Sequence, residues 1–271
     1  MVYTLKHLYY ILRSSQQEID AVIKEIDSYY YYSEKPKKKY GNNQQEGGVV
    51  KYRKLYPSYG QLKKLQRRLN SFLYQHIEFP DYAYGSVRGK NNILNALAHR
   101  HNKYFFSVDI KDFFLNINHH MVFKMYRDHD FSPTVSHILT KLTTFKGALQ
   151  QGPPTSPIIA NLVFIRTGLQ LQQLAAIHNV TFTAYLDDSV FSSKENFEFL
   201  VPEILKLIKK DRFYVNNKKI SYKKITSEVT GIFIDKNGML KVNSIINERA
   251  KTNSFTKQYV KRVRMASANT G

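Results

Sequence analysis

Two short apolar runs that end in aspartate constrain the fold of this chain more than any other feature. Residues 105–110 read Phe-Phe-Ser-Val-Asp-Ile, and residues 180–188 read Val-Thr-Phe-Thr-Ala-Tyr-Leu-Asp-Asp. A further β-like run, residues 189–192, follows the second pair of acids, so this region is predicted to form a hairpin whose turn carries them. Asp109 and Asp187 are 78 residues apart (187 minus 109). They can therefore meet only across neighbouring strands of one sheet.

Adjacent aspartates repel each other and disfavour strands, which calls for a reason beyond a solvated turn. Magnesium supplies one, because it takes oxygen ligands and is held by one or two protein carboxylates together with substrate phosphates. Asp109 and Asp187 could hold two ions about 3.5–4 Å apart, one activating an attacking hydroxyl and one stabilising a leaving pyrophosphate. These are the parts of a nucleotidyl transferase. The residues alone leave a nuclease and a plain nucleic-acid-binding protein open.

The formal charge of +20 over 271 residues indicates a polyanionic partner. Phosphate backbones neutralise such a charge with release of counterions, so nucleic acid is the expected ligand. The chain has no cysteine, which excludes disulfides and fits a reducing compartment. We find no signal peptide and no run of about 18 apolar residues, and therefore expect a cytoplasmic protein without a membrane partner.

Basic residues cluster at three places along the chain. Periodicity predicts a helix over 59–76, capped by Ser58, whose apolar stripe leaves its cations outside. A glycine-containing loop over 80–90 and a basic helix over 243–264 hold the others. The residues expected to contact nucleic acid there are Lys63, Lys64, Arg67, Arg68, Arg88, Lys90, Arg262 and Arg264.

Other patterns place the remaining elements. Residues 4–31 have helical spacing, with a helix start signal near residues 14–18 (Ser-Ser-Gln-Gln-Glu). Residues 37–40 and 49–55 are the flanks of a predicted hairpin around a Gly- and Asn-rich tip. Residues 220–225 and 229–234 are predicted strands, and Asn237-Gly238 is a hairpin turn.

Three motifs together resemble the palm motifs of prokaryotic reverse transcriptases, in the family's order. They are residues 107–114 (Ser-Val-Asp-Ile-Lys-Asp-Phe-Phe), residues 151–157 (Gln-Gly-Pro-Pro-Thr-Ser-Pro) with Asn161, and residues 185–188 (Tyr-Leu-Asp-Asp). Two shorter marks are similar to retron reverse transcriptases: residues 95–99 (Asn-Ala-Leu-Ala-His) and residues 229–231 (Val-Thr-Gly). Leu186 departs from the alanine that is more frequent at that place in the family.

The resemblance implies a role for each matching position. Asp109, Asp187 and Asp188 would form the catalytic, metal-binding triad, with two Mg²⁺ ions or Mn²⁺ in their place. Phe114 would gate against a sugar 2′-hydroxyl, unless it is simply a core residue beside Phe113. The positions expected to contact the incoming nucleotide are Arg53, Phe114, Gln151, Gly152 and Lys219, with one of Lys37 to Lys39 as a further candidate.

Besides Phe114, two residues, Lys219 and His99, keep an alternative. Lys219 would protonate pyrophosphate, or would belong to a solvated basic strand. Asn95 and His99 would contact RNA, or His99 would only cap its helix.

The family implies an α+β right-hand polymerase: an antiparallel palm sheet with helices on one face, helical and hairpin fingers, and a short helical thumb. We expect N-terminal helices and fingers over 1–100, a palm over 101–235 with fingers elements around 118–150, and a thumb over 236–271. Only 29 residues follow Val242 (271 minus 242), whereas the family usually has a longer thumb. The resemblance therefore predicts a reduced thumb, or one completed by RNA or a partner.

Retron enzymes copy part of a cognate structured noncoding RNA into single-stranded DNA that stays joined to it. The implied partners are this RNA, its cDNA, deoxynucleoside triphosphates and, in many antiphage systems, an effector protein. Two alternatives remain: a defence-associated or group II intron-like reverse transcriptase without a branched product, and an RNA-bound scaffold for an effector.

Overall fold

The structure, a computed structural model, describes residues 2–36 and 52–268. Within them the α-helices are α1 (Leu5–Leu12), α2 (Gln16–Lys24), α3 (Gly60–His76), α4 (Asn92–Ala98), α5 (Phe113–Asn116), α6 (His119–Asp128), α7 (Pro133–Thr143), α8 (Ser156–Ile177), α9 (Val201–Lys210), α10 (Ser244–Thr252) and α11 (Ser254–Ala268). The strands are β1 (Ser33–Pro36), β2 (Tyr52–Leu55), β3 (Tyr104–Asp109), β4 (Thr181–Tyr185), β5 (Asp188–Ser193), β6 (Ser221–Lys224), β7 (Ser227–Val229), β8 (Ile232–Ile234) and β9 (Leu240–Lys241).

Packing divides the described residues into two compact units. The first contains residues 2–36, 52–79 and 112–165, and the second contains residues 80–111 and 166–268. The units do not correspond one to one with the predicted boundaries at 100 and 235, and the division into fingers, palm and thumb stays a prediction.

The N-terminal helical region of the first unit is two helices, and the second begins at the predicted start signal, residues 14–18. A short 3₁₀ helix (Ile26–Tyr29) follows α2, so the predicted α-helical stretch ends before residue 31. Arg13 ends α1 in the left-handed conformation, at φ 46°. Ser15 then begins α2 with a capping box, in which its hydroxyl accepts from the Glu18 amide and the Glu18 carboxylate accepts from the Ser15 amide. Local capping thus separates two helices within one stretch of helically spaced apolar residues.

The hairpin of the first unit pairs β1 with β2, and Arg53 lies opposite Lys35. One predicted flank, 37–40, lies outside the described residues, and the strand that pairs with β2 is Ser33–Pro36. The following helix, α3, starts at Gly60 as expected, but Ser58 does not cap it. Its hydroxyl donates instead to Oε1 of Gln66 over 2.6 Å.

The second unit is built on a four-stranded antiparallel sheet with the order β4-β5-β3-β6. Tyr185 pairs with Asp188, which leaves Leu186 and Asp187 as a two-residue turn. Asp109, at the end of β3, pairs directly with Asp188, at the start of the neighbouring strand β5. The structure therefore has the predicted hairpin, called here the acidic hairpin (β4, β5 and their turn), and brings both acid-ended runs to one edge of the sheet.

A smaller sheet, β7-β8-β9, follows. The predicted single strand over 229–234 was wrong, because Thr230 (φ 47°) and Gly231 (φ 82°) turn the chain into a tight hairpin. Two consecutive positive φ angles are typical of the turn that matches strand twist. Its buried side chains form one core with those of α4 and α11, including Ile93, Val229 and Val263.

The predicted single basic helix at the C-terminal end is two helices. α10 ends before Asn253, whose Oδ1 accepts from the Thr256 amide and so begins α11. Among residues 2–36 and 52–268, no helix has the length and apolar character that crossing a bilayer requires.

Candidate active site

The acid cluster of the second unit lies where β3, β5 and the turn between β4 and β5 meet. Asp109 is the last residue of β3 and is 6% exposed, and Asp188, an exposed residue, is the first residue of β5. The Ile110 amide donates to the Asp187 carbonyl over 2.8 Å, which fixes the turn against the end of β3. Three carboxylates from two distant sequence segments are thus held together by backbone pairing.

The turn that carries Asp187 is tightly confined. Leu186 has φ 57°, a conformation that a branched residue adopts only where its surroundings impose it. Gly85 packs against this turn so closely that a Cβ on residue 85 would lie 2.7 Å from the Leu186 amide nitrogen. The neighbouring Tyr84 amide donates to the Ala184 carbonyl over 2.8 Å. The glycine-containing loop thus makes a close backbone approach to the turn of the acidic hairpin.

Two polar side chains complete the cluster. Lys219 Nζ donates to Asp109 Oδ2 over 2.5 Å, and Asn216 Nδ2 donates to Asp109 Oδ1 over 3.2 Å. The Asn216 amide also donates to the Asp109 carbonyl over 2.8 Å. Lys219 therefore belongs to the acid cluster and not to a solvated strand. The role of Asn216 was missed, since an asparagine in a polar segment carries no pattern of its own.

The electrostatics of the cluster show an excess of negative charge. Desolvation by the surrounding protein, followed by the charges of Asp187 and Asp109, raises the pKa of Asp188 to about 7. Burial alone would lower the pKa of Lys219, but its hydrogen bond to Asp109 and the aspartate charges outweigh burial and raise that pKa. The acid cluster therefore stabilises a cation, and in the absence of a cation the Asp188 carboxyl group tends to keep its proton.

The donor set fits hard divalent cations such as Mg²⁺, because it consists of carboxylate oxygens that together carry excess negative charge. No group of three or more His, Asp or Glu side chains in the described parts of the chain is arranged to enclose a metal ion by itself.

The positions expected to contact the nucleotide lie mainly in the first unit. The Tyr56 amide donates to the Gln151 carbonyl over 2.8 Å, which joins the end of β2, the strand of Arg53, to the Gln151-Gly152 segment. Gly152 has φ 123°, and a Cβ there would lie 2.8 Å from the Pro57 nitrogen, so only glycine fits. Oε1 of Gln151 is buried without a hydrogen-bond partner in the described chain.

Phe114, the predicted gate against a 2′-hydroxyl, is 9% exposed. Its ring packs against that of Phe113, with 5.7 Å between the centroids. The side chain is therefore mostly part of the core, and only its small exposed fraction could contact a sugar.

His99 and Asn95 are buried, so the predicted RNA contact of these side chains was wrong. His99 is fully buried, with Nδ1 2.6 Å from Ser192 Oγ and Nε2 2.7 Å from Thr183 Oγ1. These hydroxyls belong to the two strands of the acidic hairpin. His99 also ends α4 as its C-cap residue, as the alternative expected.

Asn95, 1% exposed, donates from Nδ2 to Thr230 Oγ1 over 3.3 Å. The two short retron-like marks of the sequence are therefore in direct contact. Both hold parts of the second unit together rather than reach out of it.

The basic residues differ in their availability. Lys64, Arg67, Arg88, Arg262 and Arg264 are exposed, and Lys63 is half-buried. Arg68 donates from one amino nitrogen to the carbonyls of Leu12 and Arg13, and Lys90 donates to the Asp81 carbonyl. These last two cations anchor backbone, a structural use that their sequence pattern did not indicate.

Comparison with known proteins identifies the family. Residues 35–237 match the family described as "Reverse transcriptase (RNA-dependent DNA polymerase)". The chain is 29% identical over 172 residues to the retron Se72 reverse transcriptase of Salmonella heidelberg, covering 63% of this chain and 45% of that protein. It is 25% identical over 188 residues to the retron Ec86 reverse transcriptase of Escherichia coli, covering 68% of this chain and 59% of that protein. The chain thus spans about half the length of these curated relatives.

Solved structures agree on the fold. A telomerase from Candida albicans, in complex with a fragment of telomeric RNA, superposes with a TM-score of 0.54 at 10% identity, covering 84% of this chain and 49% of the telomerase chain. An apo telomerase from Candida tropicalis gives a TM-score of 0.55 at 10% identity, covering 85% and 53%. The predicted α+β polymerase fold and the resemblance to retron-type enzymes are confirmed. The chain belongs to the reverse transcriptase family.

Proposed function

We propose that this protein is the RNA-directed DNA polymerase of a retron, which copies part of a cognate structured noncoding RNA into single-stranded DNA joined to that RNA. The observation that carries the proposal is the pairing of Asp109 with Asp188 at the sheet edge, beside Asp187 and the Lys219 ammonium. Family membership supports the same chemistry.

Asp109, Asp187 and Asp188 would hold two divalent cations, Mg²⁺ in the cell. When bound, these ions lower the pKa of an attacking hydroxyl and neutralise the charge that develops on the leaving pyrophosphate. The protein's part is to keep three carboxylates preorganised, which strand register and the tightly packed turn accomplish. Preorganised charge of this kind acts without reorganisation at the moment of reaction.

Lys219 would hand a proton to the departing pyrophosphate. Its raised pKa keeps the ammonium charged until negative charge develops next to it. Arg53 would grip the triphosphate of the incoming deoxynucleotide, and Gln151 with Gly152 would lie beneath its base. Phe114 would exclude a 2′-hydroxyl, which favours deoxynucleotides over ribonucleotides.

The retron assignment rests on the relatives and on the contact between Asn95 and Thr230, which joins the two retron-like marks. In this role the partners are the noncoding RNA, its cDNA and deoxynucleoside triphosphates. An effector protein joins them in antiphage defence, and the complex works in the cytoplasm.

The experiment uses the RNA–protein complex purified from its native host. Asp187→Asn is expected to abolish deoxynucleotide incorporation while RNA stays bound, because the carboxylate is lost without loss of volume. Asp128→Asn, which changes an exposed aspartate paired with Lys124, is the matched control and should incorporate normally. Normal incorporation by Asp187→Asn would defeat the polymerase proposal.

The linkage of the product tests the retron assignment separately. RNase and DNase treatment of the co-purified nucleic acid should leave a nuclease-resistant branch that joins DNA to RNA. Unbranched cDNA would indicate a defence-associated or group II intron-like enzyme. RNA without DNA, together with biological activity of the Asp187→Asn variant, would indicate a scaffold.

A further inference from the structure

We propose that α1 and α3 form a second RNA-binding site, separate in its residues from the polymerase site, which holds an unpaired stretch of RNA. The site is a cavity of about 680 Å³ that lies wholly within the first unit. Its lining includes His7, Tyr10, Arg13, Arg67, Arg68 and His76. Template copying does not by itself require such a site, so the inference goes beyond the proposed polymerase function while sharing its RNA.

The charge of this cavity selects an anion. Three arginines and two histidines line it, and its lining among the described residues includes no Asp or Glu. One of the arginines is preorganised, since Arg68 donates to the Leu12 carbonyl over 2.6 Å and the Arg13 carbonyl over 2.9 Å. A guanidinium whose position is fixed binds phosphate with little further loss of side-chain entropy.

The aromatic side chains select bases in addition to phosphates. The His76 ring stacks on Phe72, with centroids 4.1 Å apart and an angle of 24° between the planes. His76 is itself exposed, so the face turned away from Phe72 is open to a base. The Tyr10 side chain, on α1, is 80% exposed. Proteins bind unpaired nucleotides with aromatic rings that stack on the bases and with arginines that contact the phosphates.

Unpaired RNA fits this surface better than duplex RNA or an acidic peptide. Duplex RNA stacks its bases internally and presents phosphates and 2′-hydroxyls, which leaves no partner for the open rings. An acidic peptide would satisfy the arginines but not the His76 and Tyr10 faces. The volume lies within the roughly 300–1,000 Å³ that is typical of small-ligand pockets, which suits individual splayed nucleotides.

The test measures binding directly, so that it does not depend on polymerase activity. Fluorescence anisotropy of a labelled short oligouridylate is recorded with the full chain, its Tyr10→Ser and Arg67→Gln variants, and Asp187→Asn. Tyr10→Ser is expected to weaken binding about tenfold, the loss typical of one stacked base. Arg67→Gln is expected to weaken binding through the loss of one phosphate contact. Asp187→Asn should bind like the unmodified protein. Matched controls on the same part of the chain are Tyr3→Ser and Lys6→Gln, which remove an exposed ring and an exposed cation outside the cavity.

Salt dependence separates a phosphate contact from a structural effect. For single strands the slope of log affinity against log salt is about −0.7 per phosphate contact, so Arg67→Gln should reduce its magnitude by about 0.7. Thermal unfolding verifies that the variants are folded. Equal affinity of all variants for the oligonucleotide would overturn the site, as would stronger binding of a matched RNA duplex or of polyglutamate. Loss of incorporation by Asp187→Asn with retained binding would leave this inference and the polymerase proposal independently supported.

Discussion

The ammonium nitrogen of Lys219 lies 2.5 Å from Oδ2 of Asp109. The two residues are brought together by the backbone contact of Asn216 with Asp109 rather than by sequence proximity. The same lysine keeps 59% of its side chain exposed, whereas the Asp109 side chain is 8% exposed. The lysine can therefore leave the aspartate without breaking the core. In the proposed reaction, the Lys219 ammonium would pair with Asp109 in one position and donate a proton to pyrophosphate in another.

Replacing Lys219 is expected to slow the chemical step. Lys219→Gln should lower kcat by about 10²–10⁴-fold, the usual range for loss of a general acid. Lys219→Arg keeps the positive charge beside Asp109, but a guanidinium does not release a proton, so it should remain impaired. Single-turnover incorporation on a primed RNA template measures this step. A Lys219→Arg enzyme with unmodified kcat would show that the charge alone acts.

The acid cluster predicts opposite effects of Asp188→Asn with and without metal. The pKa of Asp188 rises from 3.8 to about 7 in the folded protein. Between these values the folded state binds more protons than the unfolded state, so the metal-free free energy of unfolding falls as pH rises. The amide side chain of the variant carries no charge at any of these pH values. Asp188→Asn should therefore flatten this dependence and make the metal-free protein at pH 8 at least as stable as the unmodified one.

Magnesium provides the second half of that test. An Mg²⁺ ion held by the folded carboxylates, as proposed, would raise the unfolding midpoint of the unmodified protein, and much less that of Asp188→Asn. Urea denaturation with Mg²⁺ or with EDTA measures both effects. Equal stabilisation of the two proteins by Mg²⁺ would remove Asp188 from the metal site.

His99 makes the fold sensitive to acid. Burial lowers its pKa from 6.5 to about 3, so between these pH values the unfolded state binds the extra proton. The free energy of unfolding should fall as pH falls through this window, by at most about 1.4 kcal/mol per pH unit. His99→Gln retains hydrogen-bonding groups for Ser192 and Thr183 but does not titrate, so it should lose this part of the slope. Denaturation series from pH 7 to pH 4 compare the two proteins, and identical slopes would refute the assignment.

The sequence predicted those parts of the site that follow from strand pattern. Each apolar run closes on an acid, and antiparallel pairing of the strand before Asp109 with the strand after Asp187 places both acids at one sheet edge. The sequence pattern did not predict the burial of His99, because a polar residue on a short helix gives the same pattern whether its side chain faces water or two buried hydroxyl groups. Nor did it predict the turn at Thr230, because threonine rarely adopts φ 47° without tertiary contacts that impose it.

The loop before α4 predicts a steric effect on the turn of the acidic hairpin. Gly85 lies in ordinary backbone space, yet a Cβ there would be 2.7 Å from the Leu186 nitrogen and 2.8 Å from the Tyr185 carbonyl carbon. Gly85→Ala therefore has to displace either the loop or the turn that carries Asp187. A misplacement of about 1 Å at a catalytic group can cost about 100-fold in rate, so we expect at least about tenfold lower incorporation from a smaller shift.

Gly147→Ala is the matched control for that substitution. Gly147 has φ 76°, but the nearest atom to its Cβ would be His119 Nδ1 at an ordinary 3.9 Å. Its cost is the backbone strain alone, about 1–2 kcal/mol of stability, without a displaced neighbour. Comparing incorporation rate and unfolding midpoint for the two variants distinguishes the mechanisms. If Gly85→Ala lost only stability, as Gly147→Ala is expected to do, the close packing of Gly85 would serve the fold and not the geometry of Asp187.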